Sequence, residues 1–470
     1  ISGPMKRRFF RNQAGPTNRC QFPFTSSCDL LGISQSDKVK QDGLHNSLLK
    51  IMTGKFPSLS SDVTLDCLGF EWELHRMYLF KSHILSQLLA EATQHTGRKQ
   101  DEFCQQKEKL PKVTIALEIS DQDVTRFAFA VALKNMYNSE PEVNEEDVLG
   151  ILAAAEVLQF PSLFQKCIQV MKRSICPTNV CSYYIAGCKY KQPSLITLCE
   201  RWTEVNLVPQ LGSQICLRNL PLELLQKVLK SPRLFTINEF YLLRTALYWV
   251  FLQQNPKIQI IPFYDTILRY FSSLPRTWAF LERKEGQQYM AIFQSLRLHG
   301  ITSSKHLEEL WKINFFPLPW LTRILSDHYH ALENGGDMAF QADFNTQAVR
   351  FGFLLKEVKI ISIYGFFFEL KAIKHDASAY SFYMKRVRHA DPIISYFTAD
   401  RSPVSLQKER EVKYEIKAQC QIDGKWEEFT TERVTQSFGV KKPSSKSQIL
   451  KARIPSVPIY VTFLLLFPPS

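Results

Sequence analysis

The pattern of apolar and polar positions changes twice along the chain, and each change marks a different kind of structure. In residues 62–65 and 72–74, β-prone runs flank Gly69, which predicts a hairpin whose turn type the residues leave open. Apolar positions then recur at helical spacing over 77–91 (Leu79, Leu85, Leu88, Leu89), 124–137 and 145–158, with a strand at 113–117 between them. Ser120-Asp121-Gln122-Asp123 offers a cap and an acidic first turn to the helix that follows, and Asn144 offers a cap to the next. The charged stretch 94–109 predicts a disordered loop, and a short helix is expected upstream at 45–52.

From 177 to 256 the signals are helical only, separated by Pro193, Pro221 and Pro232. Thr236-Ile237-Asn238-Glu239 fits a capping box, in which hydroxyl and carboxylate each take an unpaired amide at a helix start. Further helices are expected at 287–298, 305–311 and 319–332.

Beyond Gly335-Gly336 the period falls from 3.6 to 2. Val412, Tyr414, Ile416, Ala418, Cys420 and Ile422 alternate with polar residues up to Asp423-Gly424, a pair suited to a type I′ hairpin turn. Phe351, Phe353 and Leu355, the run 360–370 and the run 460–467 supply more strands. The fold class expected is multidomain α+β: a flexible lead over 1–43, a small α+β domain over 44–173, a helical region over 174–334 and a β-rich, sandwich-like domain over 335–470. No internal repeat is found, so a propeller is not expected.

Composition adds limits. The 470 residues suffice for about three domains, and 45% hydrophobic with 22% charged residues is a globular balance. The net charge of +13 is spread among acids, as in Lys408-Glu409-Arg410-Glu411, and no basic zipper or zinc-finger pattern accompanies it. Nucleic acid is therefore not an expected partner. Eleven cysteines without paired spacing favour a reducing compartment, and thus an intracellular place in cytoplasm or nucleus. The longest apolar run, 460–467, falls short of the ~20 residues of a membrane helix, and the basic start of the chain has no apolar run behind it to make a secretory signal.

Candidate chemistry is sparse. Cys176, Cys181, Cys188 and Cys199 lack the close pairs of zinc sites, and Cys67 with His75 falls in a predicted structural hairpin. His328 and His330 stand two apart and do not share a helix face. With no phosphate loop, His-Glu-X-X-His pattern or nucleophile elbow, neither enzyme activity, metal nor cofactor is expected.

The opening Ser61-Asp62-Val63-Thr64-Leu65, followed by Leu74-His75-Arg76, Tyr78-Leu79 and Ser82, resembles the start of a BTB/POZ domain. The stretch from Val148 to Gln159 resembles its late helix, and the helices after Pro177 resemble a BACK domain. Glu71-Trp72, the run Asn179-Val180-Cys181-Ser182-Tyr183-Tyr184 and Arg350-Phe351-Gly352-Phe353 are similar to the germ-cell-less-like branch of that family.

The resemblance implies a protein-interaction adaptor that forms two-fold homodimers. Leu48, Leu49, Ile51 and Met52 would supply a helix crossing to the partner, with Asp62 near the interface; an intrachain helix packed on its own domain is the alternative. It also implies recruitment of a cullin scaffold, as the substrate receptor of a cullin-RING ubiquitin ligase. The apolar-X-Glu contact of that family falls here on Ala92-Thr93-Gln94, which departs from it; Tyr137 and the Ser82, His83 and Gln87 side of the neighbouring helix are the other candidates. A non-ligase dimeric scaffold in a larger cytoskeletal or ciliary assembly is the competing reading. The β-rich domain would receive the substrate or assembly partner, with the Asp423-Gly424 hairpin and Pro443 to Ser447 as candidates and Phe366-Phe367-Phe368 expected in a buried sheet.

Overall fold

The computed structural model describes residues 61–97, 112–338, 343–355, 359–388, 403–441, 443–455 and 457–469. The expected helix at 45–52 lies outside them.

Strands β1 (Val63–Cys67) and β2 (Phe70–Leu74) pair antiparallel, and β3 (Val113–Ala116) lies parallel to β1, giving the order β2-β1-β3. Leu68 and Gly69 both take positive φ, 56° and 73°, which settles the turn as a primed one whose twist matches the flanking strands. The expected helix at 77–91 is broken. A 3-10 turn, Arg76–Lys81, ends at extended Ser82, and α1 (His83–Gly97) then runs four residues into the stretch expected to be a disordered loop.

Helices α2 (Arg126–Met136), α3 (Val148–Val157) and α4 (Pro161–Arg173) follow. The cap of α2 is Thr125, whose hydroxyl accepts from the Ala128 amide at 3.1 Å. Asp121 and Asp123, expected there, instead grip Lys189 at 2.8 and 2.6 Å. Nor does Asn144 cap α3, which starts after Asp147 without a side-chain cap. Gly150 lets α3 approach α2 closely: a Cβ there would stand 2.9 Å from that of Ala128.

The helical region continues with α5 (Val180–Lys189), α6 (Pro193–Asn206), α7 (Leu222–Lys230), α8 (Glu239–Gln254), α9 (Tyr264–Ser272), α10 (Ser304–Lys312) and α11 (Leu318–Glu333). The helix expected at 287–298 resolves into short pieces, Lys284–Gln287, Met290–Gln294 and a 3-10 turn at Leu298–Gly300. One apolar cluster runs unbroken from Val63 through Phe129, Leu152, Cys167 and Leu247 to Ile324, so the α+β part and the helices share a core.

The C-terminal part is two antiparallel sheets. The first has the order β10 (Val434–Phe438), β8 (Arg410–Ile422), β12 (Tyr460–Leu466), β4 (Val349–Leu354), with β9 (Lys425–Thr430) also on β8. The second has the order β11 (Leu450–Arg453), β7 (Ala379–Val387), β6 (Phe366–Lys374), β5 (Lys359–Ile363). Phe351, Ile416 and Phe463 of the first share a core with Ile361, Phe368 and Phe382 of the second. The run over 360–370, expected to supply strands, is a hairpin folded at Tyr364-Gly365, where both φ are positive. Phe366, Phe367 and Phe368 are all buried, as a strand covered on both faces requires.

Candidate partner-binding site

The sequence candidates near the N-terminal sheet converge on the turn Arg76–Lys81. Asp62 accepts the Arg76 amide at 2.7 Å, holding the start of the turn against β1. The Tyr137 hydroxyl accepts the His75 amide at 3.1 Å and meets His75 Nδ1 at 3.1 Å. Its ring lies 4.6 Å from that of Tyr78, and burial pushes the phenol up to about 12. Asp62 and Tyr137, one a dimer candidate and the other a cullin-facing one, therefore brace the same turn from two sides.

What that bracing does is carry Met77 and Phe80 outward. They are 59% and 72% exposed, while Leu79 between them is buried. An exposed apolar pair on a braced turn is a candidate contact surface. Sequence reading missed both residues, because at helical spacing Met77 and Phe80 look like core positions; only the 3-10 turn shows which way they face.

Ser82 is a correction. It is fully buried, its hydroxyl accepting the Leu85 amide at 3.2 Å and donating to the Leu158 carbonyl, so it caps α1 and ties it to the end of α3 instead of facing a partner. His83 and Gln87 are exposed, and Gln87 donates to Glu91 at 3.1 Å. Ala92 and Thr93 are half-buried and Gln94 is exposed. The Thr93 hydroxyl folds back onto the Leu89 and Ala90 carbonyls, both at 2.9 Å. Leu48, Leu49, Ile51 and Met52 lie outside the described residues.

A second feature no sequence pattern announced is a polar seam joining the helices to the sandwich. Arg350 of β4 holds Glu239 of α8 through Nε and Nη2, each at 2.8 Å, with both side chains buried. The expected capping box does not form: the Thr236 hydroxyl donates to the Asn238 carbonyl at 2.7 Å and takes no amide. Asn238 caps α8, accepting the Tyr241 amide at 3.0 Å, and the Glu239 carboxylate is spent on an arginine 111 residues away. Burial opposes the charge on Glu239, but Arg350 overrides it, and the carboxyl titrates below its usual range. Nearby Arg297 donates to the Ala348 and Asn345 carbonyls, and burial with the adjacent Arg350 lowers its pKa to about 10.

Further along, Arg201 of α6 donates to Glu204 at 2.9 Å and to Gln419 of β8 at 2.6 Å. The Tyr460 hydroxyl donates to Asn206 at 2.6 Å. Of the alternating polar positions of β8, Gln419 faces a helix while Glu411 and Gln421 are exposed; β12 is buried on both sides, which explains its continuous apolar run.

Comparison with known proteins fits this architecture. A family model described as the BTBDG BTB/POZ domain matches residues 62–171, from the residue that anchors the turn to the last part of α4. Protein germ cell-less of Drosophila melanogaster is 28% identical over 302 residues, covering 58% of this chain and 50% of that protein. The chain carries a BTB/POZ domain over residues 62–171 and is similar to the germ-cell-less proteins.

Human germ cell-less protein-like 1 is 26% identical over 286 residues, covering 58% of this BTB/POZ protein and 52% of the relative. Human kelch-like protein 6 is 23% identical over 302 residues, 62% of the chain and 45% of the relative. The chain spans about half the length of the curated relatives it matches. A second model, described as the C-terminal domain of BTB/POZ domain-containing protein 16, matches residues 349–449. It starts at the first residue of β4 and stops before β11, leaving β12, which lies inside the first sheet, beyond the match. Among the described residues no helix is long and apolar enough to cross a membrane.

Proposed function

We propose that this BTB/POZ protein is a non-enzymatic interaction adaptor that pairs with a second copy of itself through the Arg76–Lys81 turn and offers its sandwich to another protein. The exposure of Met77 and Phe80 carries the reading: covering each fully would stabilise a complex by roughly 1.5 to 3 kcal/mol. Asp62 and the upstream segment Leu48, Leu49, Ile51 and Met52 would complete the interface. Sedimentation equilibrium on the full chain tests it. Dimers are expected at micromolar concentration, and the double replacement Met77→Asp with Phe80→Asp is expected to raise the dissociation constant by about a hundredfold. A monomeric wild-type chain, or a double variant that dimerises as before, would overturn the reading.

A cullin-RING substrate receptor is the finer version, drawn from the order of the regions. The competing version is a scaffold outside any ligase, favoured by the helix at Ala92-Thr93-Gln94, which offers neither a large apolar anchor nor a carboxylate at those positions. Titration with purified cullin separates them. A receptor binds at micromolar concentration and binds tighter after Ala92→Phe with Gln94→Glu; a scaffold does neither.

A further inference from the structure

A cavity of about 560 Å³ opens where α11 meets the β-rich part. Phe293, Trp320 and Ile324 give it apolar walls. Asp327, on α11, contributes a half-buried carboxylate with no cation within ion-pair distance among the described residues, and burial raises its pKa. Gln347 contributes a buried Oε1 without a hydrogen-bond partner. Turning that amide over does not remove the problem, since a polar atom would still sit there unmatched. His299 is a further polar lining group, beside Gln294, Arg323 and Tyr364. Its Nε2 lies 2.8 Å from the Gln347 carbonyl, which can only accept, so Nε2 carries the proton and Nδ1 remains an acceptor. Burial keeps this ring neutral by lowering its pKa.

A carboxylate and further acceptors set in aromatic and aliphatic walls call for a ligand with an apolar stem and a cationic head that donates in several directions. We propose that the cavity takes an arginine side chain of a partner protein. The methylene stem lies along Phe293 and Ile324, and the planar guanidinium is offered the Trp320 face, the Asp327 carboxylate and the Gln347 amide. Guanidinium suits this better than ammonium because it is flat, weakly hydrated and donates from a fixed fork of five N–H groups. Arg323, exposed one helical turn before Asp327, is the intrachain cation that competes for the same charge. An anionic ligand would meet Asp327 and is excluded by it.

The inference needs neither self-pairing nor a cullin, so its failure leaves the adaptor reading intact. The test is saturation-transfer NMR on the full chain with N-acetyl-arginine methylamide, alongside the matching citrulline and lysine compounds. Citrulline has nearly the same shape without the charge. Saturable binding of the arginine probe is expected, about tenfold tighter than either comparison compound. Asp327→Asn should remove that preference, Gln347→Leu should weaken binding severalfold, and Arg323→Gln should strengthen it. Asp327 makes no side-chain hydrogen bond or ion pair among the described residues, so its variant is expected to melt like the wild type. Equal binding of citrulline, an unchanged Asp327→Asn variant or absence of saturable binding would each overturn the proposal.

Discussion

Arg350 and Glu239 form a two-pronged, fully buried pair, 2.8 Å at each contact, between the first strand of the sandwich and the first turn of α8. A lone charge at this depth is far more costly than either residue's absence. Arg350→Met is therefore expected to destabilise the protein by about 3 to 5 kcal/mol, and the pair Arg350→Met with Glu239→Leu by much less. Urea unfolding of the three proteins checks this. Equal losses in single and double variants would mean that the pair is not coupled.

The same pair sets an acid dependence. Glu239 titrates below its usual range when folded, so its contribution is complete above that range and is lost as pH falls through the depressed folded value. In Arg350→Met the main offset to burial is gone and only Arg297 and His299 still oppose it, so the carboxyl titrates higher and protonation relieves the strain. The stability gap between that variant and the wild type should shrink between neutral pH and pH of about 4. A gap that widens on acidification contradicts the assignment.

Ser82→Ala should act on stability. Loss of the cap on α1 and of the bond to the Leu158 carbonyl is expected to cost about 1 to 2 kcal/mol in thermal unfolding. If the variant instead kept its stability and lost partner binding, Ser82 would be a contact residue after all.

Gly150→Val tests how closely α3 lies on α2. With a Cβ 2.9 Å from that of Ala128, about 1 to 3 kcal/mol should be lost, and Ala128→Gly should restore part of it. A neutral Gly150→Val would place the helices further apart.

How much of this was legible varies with the range of the forces involved. The hairpins at Gly69 and Gly424 were readable because period-two alternation and a turn glycine lie within a few residues of each other. The fold at Tyr364-Gly365 was hidden because both flanking strands are apolar, so no polar interval marks the turn. Asp121 looked like a cap because caps are local, whereas its real partner, Lys189, is on another helix. Glu239 misled in the same way, since a capping-box pattern cannot reveal an arginine 111 positions later. At the candidate site, Asp62 and Tyr137 were named as interface candidates, and the structure shows them holding the Arg76–Lys81 turn. That they support a turn displaying Met77 and Phe80 required the three-dimensional path of the chain.

The seam has a consequence for anything this protein holds. With the core continuous from Val63 to Ile324 and Arg350 and Arg201 clasping the sandwich to it, the chain works as a ruler and not as a tether. Two proteins docked at its opposite ends would keep a set spacing and bearing, and their effective concentration for one another would be a property of buried side chains instead of linker length. Loosening the clasp would blur that geometry while each docking contact, measured alone, stayed as strong as before.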